Sequence, residues 1–102
     1  MTTADTLRAA RALIEKPERW AQGVVALKAN GEACPATSNS ACQWCASGAV
    51  EMVAQDYKES NAALRLLYEV IGSPIGEFND DHTHAEVIAA FDRAVELAEQ
   101  SK

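Results

Sequence analysis

Apolar residues recur at spacings of three and four along four separate segments of this 102-residue chain. Such spacing places them on one side of an α-helix, so it predicts four helices that each bury one face. Pro17 and the stretch Gly72-Ser-Pro74 interrupt helical backbone between segments. The pattern therefore predicts a mainly α fold: a compact bundle of about four helices in a single helical domain, residues 1–102.

Local signals place the ends of these helices. Ser38 or Ser40 is suited to cap the second helix, and Thr83 with Glu86 has the form of a capping box at the start of the fourth. Gly72 can take the left-handed conformation that ends the third. We expect the helices near residues 7–14, 41–53, 60–71 and from 84 onward, with residues 73–82 forming a loop.

The dipeptide Asn30-Gly31 predicts one short β-hairpin near residues 24–35. Both central positions of a type I′ turn require positive φ, which asparagine and glycine adopt most readily. Strands are expected near residues 24–29 and 32–35. The hairpin would be the only sheet structure in an otherwise helical chain.

Charge and composition narrow the classes of partner. The net charge is −6 and no run of Lys or Arg occurs, which argues against nucleic acid and against anionic membranes. No apolar run approaches the roughly 18 residues of a spanning helix, and the N-terminus lacks the pattern of a signal peptide. Three cysteines cannot all pair within one chain. We therefore expect a cytoplasmic protein with reduced thiols.

Cys42-Gln-Trp-Cys45 admits three interpretations. It could supply half of a zinc site, completed by Cys34 and by His82 or His84, because structural zinc takes four ligands. It could be a redox pair at a helix start, where backbone amides favour a thiolate. The spacing matches no zinc pattern, and the predicted hairpin is not the βαβ setting of a redox motif. The favoured interpretation is that Cys45 is a small buried side chain on a helix.

The segment Asn79 to Glu86 is the second candidate for chemistry. Its two histidines and its carboxylates resemble fragments of metal-dependent hydrolase sites. Every acidic and hydroxyl group there also suits a helix start, which is the favoured interpretation. An enzyme built on Asp80, Asp81 and His82 would need a concave pocket at that point. The sequence contains no phosphate-binding glycine loop and no G-x-S-x-G elbow. We therefore predict no catalytic residues and no resident cofactor, with zinc as the alternative.

Four stretches together resemble a known family. They are Trp20-Ala-Gln-Gly23, Trp44-Cys45-Ala-Ser-Gly48-Ala49, Phe78-Asn79-Asp80, and a helix with Thr83, Glu86, Val87 and Asp92-Arg93-Ala94. In this order they resemble a family of small uncharacterised proteins of bacterial and phage genomes, over about residues 7–95. The resemblance implies no assigned activity, and it places Trp44 and Cys45 among the shared residues, as expected of a packing pair.

The function expected from these observations is contact with another protein or with a second copy. Function concentrates on loops carried by a rigid scaffold. The candidate partner-binding residues are therefore Trp20, Phe78, Asn79 and Asp80, because three of them lie in the predicted loop and tryptophan is frequent at interface anchors. The alternative is a zinc-binding or thiol-redox protein that uses Cys42 and Cys45.

Overall fold

A computed structural model describes residues 1–100, which form five α-helices and a three-stranded antiparallel sheet. The expectation of a mainly α fold is confirmed, but the number of helices is five. In chain order the elements are α1 Thr3–Leu13, a 3-10 turn Pro17–Arg19, β1 Ala26–Lys28, β2 Ala33–Cys34, β3 Ala41–Trp44, α2 Ala46–Val53, α3 Tyr57–Ile71, α4 Ile75–Asp81 and α5 His84–Gln100.

Helix α1 packs against α2, α3 and α5. Its buried side chains Leu7 and Ala10, together with Ile14 just beyond its end, follow the helical spacing that the sequence shows. Two ion pairs join its outer side to α5, Arg8 to Glu99 and Arg11 to Asp92. Within residues 1–100, no helix combines the length and the apolar character needed to cross a bilayer.

The predicted end of the third helix and start of the last are confirmed. Gly72 ends α3 with a φ of 78°, in the left-handed region. The Glu86 amide donates to the Thr83 hydroxyl at 3.2 Å, and the Thr83 amide donates to the Glu86 carboxylate at 2.9 Å, which completes the capping box. Helix α3 begins earlier than predicted, because Asp56 caps it by accepting from the Glu59 amide.

The predicted hairpin is present, but its turn is not type I′. Asn30 does not have positive φ, whereas Gly31 has a φ of 89°. The Gly31 amide donates to the Lys28 carbonyl at 2.9 Å, and the Lys28 amide donates to the Glu32 carbonyl at 2.8 Å. This is a three-residue loop in which a turn is followed by a left-handed glycine. The strands are correspondingly shorter than expected.

The predicted start of the second helix at Ala41 is wrong. Residues 41–44 form β3, which pairs with β1 on the side away from β2, with Ala26 opposite Trp44. The second edge of β1 needs hydrogen-bond partners, and β3 supplies them. The Trp44 indole N–H also donates to the Ala36 carbonyl at 2.9 Å. Pairing with a distant strand thus overrides the helical spacing of these residues.

The predicted loop 73–82 is also wrong, since most of it is helix α4. Pro74 precedes the helix, and its carbonyl accepts the Phe78 amide at 3.0 Å. The segment was predicted to be a loop because it contains proline, glycine and an Asn-Asp-Asp run, which are typical of loops. A helix of seven residues is not stable alone, so tertiary contacts decide its formation. Ile75 and Phe78 pack against the core.

Candidate functional site

The side-chain amide of Asn79 joins three parts of the chain. Asn79 is 0% exposed, and its Oδ1 accepts from the Trp20 indole at 2.7 Å and from the Ala46 amide at 3.0 Å. Its Nδ2 donates to the Ala21 carbonyl at 2.9 Å and to the Asp80 carboxylate at 3.1 Å. These four bonds use the two acceptor and two donor positions of an amide. Asn79 thereby fixes α4, the start of α2 and the segment before β1.

The residues after Trp20 close the end of α4. The Gln22 side-chain nitrogen lies within 3.2 Å of the carbonyl oxygens of Asn79, Asp80 and His82. Carbonyls at the end of a helix have no partner within the helix, and the two N–H groups of this amide are shared among these three. Next in sequence, the Gly23 amide donates to the Asp80 carboxylate at 2.8 Å, and Gly23 has a φ of 80°. Glycine adopts that conformation without the strain that other residues incur.

Cys45 caps α2. It is 5% exposed, and its sulfur accepts from the Gly48 amide at 3.3 Å and lies 3.3 Å from the Ser47 hydroxyl. Its own amide donates to the Val25 carbonyl at 3.0 Å. A Cβ at Gly48 would lie 2.3 Å from that same carbonyl oxygen. Cys45 is thus buried, at the strand-to-helix junction and not inside a helix, and Gly48 allows the close approach.

The cysteines of the alternative zinc set do not converge. Cys34 lies on β2 and Cys42 on β3, with β1 between them. Their strands are two spacings apart, so the backbones at Cys34 and Cys42 lie about 10 Å from each other. That separation also excludes a disulfide between them, because the Cα atoms of bonded cysteines lie within roughly 7 Å. Within residues 1–100, no group of three or more His, Cys, Asp or Glu side chains is arranged to hold a metal ion.

Both histidines of that set contact backbone carbonyls. His82 Nδ1 lies 2.9 Å from the Phe78 carbonyl oxygen, and His84 Nε2 lies 2.7 Å from that of Ile14. A carbonyl only accepts, so each of these nitrogens carries a proton. The His82 contact spans the end of α4, and the His84 contact joins α5 to the end of α1.

The four predicted partner-binding residues lie together, at different depths. Asn79 is buried, and Trp20 and Phe78 are half-buried. The Phe78 ring stacks on His82 with centroids 3.8 Å apart, and the Trp20 ring meets His84 edge-on. Asp80 is exposed. The hydrogen bonds of Trp20, Asn79 and Asp80 described above thus hold the fold together.

Two of the grooves beside the helices bear on the candidate sites. One of about 380 Å³ lies between α1, α3 and α5 and is lined in part by Ala62, Leu66 and Ala98. Another of about 200 Å³ lies beside Cys45. Of the trio Asp80, Asp81 and His82, only Asp80 lines this second groove, so the trio does not converge on one concavity.

The lowered carboxylate pKa values belong to helix starts. The hydrogen bond from the Thr83 backbone lowers the pKa of Glu86, and that from the Gln55 backbone lowers the pKa of Glu59. Hydrogen bonding to the ionised form is the physical cause in both cases. These shifts report helix capping.

A family model covers residues 1–97 of the chain. The chain belongs to DUF6197, a family of unknown function. Neither the curated proteins nor the solved structures gave a match. Membership in a family of unknown function confirms the resemblance drawn from the sequence. The residue pattern and the bacterial and phage occurrence stay predictions.

In this DUF6197 chain, the exposed side of α3 lies outside the hydrogen-bonded network. Five side chains on α3 are exposed and lie within about 100° of the helix circumference, since 3.6 residues make a turn. Within residues 1–100, none of the five side chains forms a hydrogen bond or ion pair. We call this surface the outer face of α3; its residues are Tyr57, Lys58, Asn61, Arg65 and Tyr68.

The two tyrosines dominate the outer face of α3. Tyr57 is 79% exposed and Tyr68 is 50% exposed. They are three helical turns apart, about 16 Å, on the same side of the helix. The sequence prediction did not find this pair, because it placed the helix start near residue 60 and left Tyr57 outside. Asp56 as an N-cap with Glu59 three residues later was the signal that could have revealed it.

Proposed function

We propose that this DUF6197 protein is a non-enzymatic binding protein that contacts another protein through the outer face of α3. The observation that carries the proposal is the exposure of Tyr57 and Tyr68 on one side of a packed helix. Tyrosine is enriched among the residues that dominate binding energy at interfaces. It offers a large contact area for only two rotatable side-chain bonds.

The opposite side of α3 supports the proposal. Ala63 and Leu67 are fully buried there, and α3 contacts α1, α2, α4 and α5. A helix held in this way presents its exposed side chains in a fixed arrangement. Binding then costs little ordering of the backbone, which favours affinity.

The use of the polar residues elsewhere also supports a non-enzymatic role. Asn79 joins α4 to α2, the Cys45 sulfur caps α2, and His84 contacts the carbonyl of Ile14. Each of these contacts has a structural purpose. The net charge of −6 favours a protein partner over nucleic acid.

The experiment is affinity capture from extract of the source cells, with three versions of the chain as bait. The double variant Tyr57→Ser/Tyr68→Ser removes the aromatic pair. Met52→Ser is the matched control, because it removes an exposed apolar side chain from α2. Circular dichroism and thermal unfolding establish that all three are folded, as expected for exposed positions.

We expect the unchanged chain and Met52→Ser to retain the same protein, and the double tyrosine variant to lose it. The purified protein should then bind the chain directly, with an affinity that falls at least about tenfold in the double variant. Equal capture by all three baits would show that the outer face of α3 is not the binding surface, and would overturn the proposal.

A further inference from the structure

Resting on the proposed function, we infer that the outer face of α3 binds an acidic amphipathic helix of its partner. The chain has 15 acidic and 9 basic residues, yet the outer face of α3 contains Lys58 and Arg65, and Glu69 at its edge is the one carboxylate beside them on the exposed side of the helix. A positive surface on an acidic protein is complementary to carboxylates and repels other positive surfaces.

The two cations are available for a partner. On α1, Arg8 pairs with Asp5 and with Glu99 of α5, and Arg11 pairs with Asp92 of α5 and with Glu15 just after α1. Lys58 and Arg65 form no ion pair within the described residues 1–100. Arginine can bind a carboxylate through two parallel hydrogen bonds, which adds directional selectivity to the charge. Arg65 and Glu69, one helical turn apart, both line the groove of about 380 Å³ at the edge of the face.

The arrangement of the tyrosines indicates the shape of the bound segment. Tyr57 and Tyr68 lie along a straight line parallel to the α3 axis, with Asn61 between them along the helix. A helix laid along α3 would meet both rings with apolar side chains three turns apart. Carboxylates on the adjacent side of the bound helix would meet Lys58 and Arg65. Aromatic contact and charge contact thus fall on two adjacent sides of one helix.

The test titrates the ¹⁵N-labelled full chain with a synthetic amphipathic helical peptide of about 20 residues, with leucine on one face and glutamate on the other. A second peptide with every glutamate replaced by lysine is the matched probe. We expect the acidic peptide to shift the amides of residues 57–68 in a saturable way. The basic peptide should bind at least about tenfold more weakly.

The variant Lys58→Glu/Arg65→Glu tests the charges directly. The acidic peptide should lose about tenfold or more in affinity for it, and the basic peptide should gain. Raising the salt from about 0.05 M to about 0.5 M should weaken binding of the acidic peptide to the unchanged chain. Equal affinity for both peptides, or shifts centred on Thr3, Ala4 and Ala98 across the groove from α3, would overturn the inference.

The outcomes separate this inference from the proposed function. Capture that depends on Tyr57 and Tyr68 but not on Lys58 and Arg65 would support the proposed binding surface and contradict its preference for an acidic helix. If capture does not depend on the tyrosines, the proposed function itself fails. Sedimentation that shows self-association of the chain, abolished by Tyr57→Ser/Tyr68→Ser, would identify a second copy as the occupant and overturn the acidic-helix inference.

Discussion

The indole nitrogen of Trp20 donates to the side-chain oxygen of Asn79 at 2.7 Å, across 59 positions of the chain. The same oxygen accepts the Ala46 amide, the first residue of α2. One buried amide therefore fixes the relative positions of the segment before β1, of α2 and of α4. Trp20 and Asn79, which the sequence analysis names as candidate partner-binding residues, are thus part of the protein's internal framework.

Asn79→Ala should destabilise the protein by about 3 kcal/mol or more, because it leaves the Trp20 indole, the Ala46 amide and the Ala21 carbonyl without partners. Urea unfolding measures the change. Asn39→Ala, at an exposed position, is the matched control and should change stability by less than about 0.5 kcal/mol. Similar losses in the two variants would contradict the role given to Asn79.

Gly48→Ala and Gly76→Ala should have opposite effects. A Cβ at Gly48 would lie 2.3 Å from the Val25 carbonyl oxygen, whereas a Cβ at Gly76 meets nothing within 4 Å. We expect a loss of about 1–3 kcal/mol at Gly48 from overpacking. At Gly76 we expect a gain of up to about 1 kcal/mol, since alanine favours helix. Thermal unfolding distinguishes them, and an unaffected Gly48→Ala would rule out the close approach.

Cys45→Ser should leave stability nearly unchanged, whereas Cys45→Ala should lose about 1 kcal/mol. The serine oxygen can accept from the Gly48 amide as the sulfur does, and alanine cannot. Chelator should not alter the melting temperature of the unchanged chain. A large stability loss in Cys45→Ser that metal removal reproduces would instead support the zinc interpretation.

Acid should weaken the cap of α5. The pKa of Glu86 is lowered from its ordinary value of 4.5, chiefly by the hydrogen bond from the Thr83 backbone. A carboxylate with a depressed folded-state pKa stabilises the protein fully above the unfolded value. That contribution disappears as the pH falls from 4.5 through the folded-state pKa. The melting-temperature difference between the unchanged chain and Glu86→Gln should therefore shrink between about pH 6 and about pH 3.

Glu96→Gln removes a carboxylate from the same helix outside the cap, so it controls for general changes in charge. A carboxyl ¹³C titration gives the pKa of Glu86 directly. A value at or above 4.5, or a melting-temperature difference that does not change with pH, would contradict the prediction.

Local signals predicted the end of α3 and the start of α5 correctly, and contacts over long distances produced the errors at β3 and α4. Gly72 and the Thr83–Glu86 box act within a few residues, so their sequence suffices. Residues 41–44 became a strand because β1, far back in the chain, offers a free edge. The sequence of residues 41–44 alone does not show that this edge is available for pairing.

The candidate site follows the same rule. Asn79 and Asp80 were predicted to be polar residues of a loop. In the structure Asn79 accepts a hydrogen bond from Trp20, and Asp80 accepts one from Gly23. Helix α4 was not predictable, because Gln22 satisfies its end carbonyls from outside the segment. The position of Tyr57 and Tyr68 on one side of α3 could have been predicted, because their spacing and the Asp56 cap are local features of the sequence.

The Asn79 network also sets a constraint on synthesis. A ribosome makes Trp20, Gln22 and Ala46 well before Asn79, and their hydrogen-bond partners do not exist until α4 emerges. Closing such distant contacts is slow compared with forming a local helix. Truncated chains that end before α4 should therefore be recognised by proteases and chaperones as unfinished, even though they contain three of the five helices and every strand.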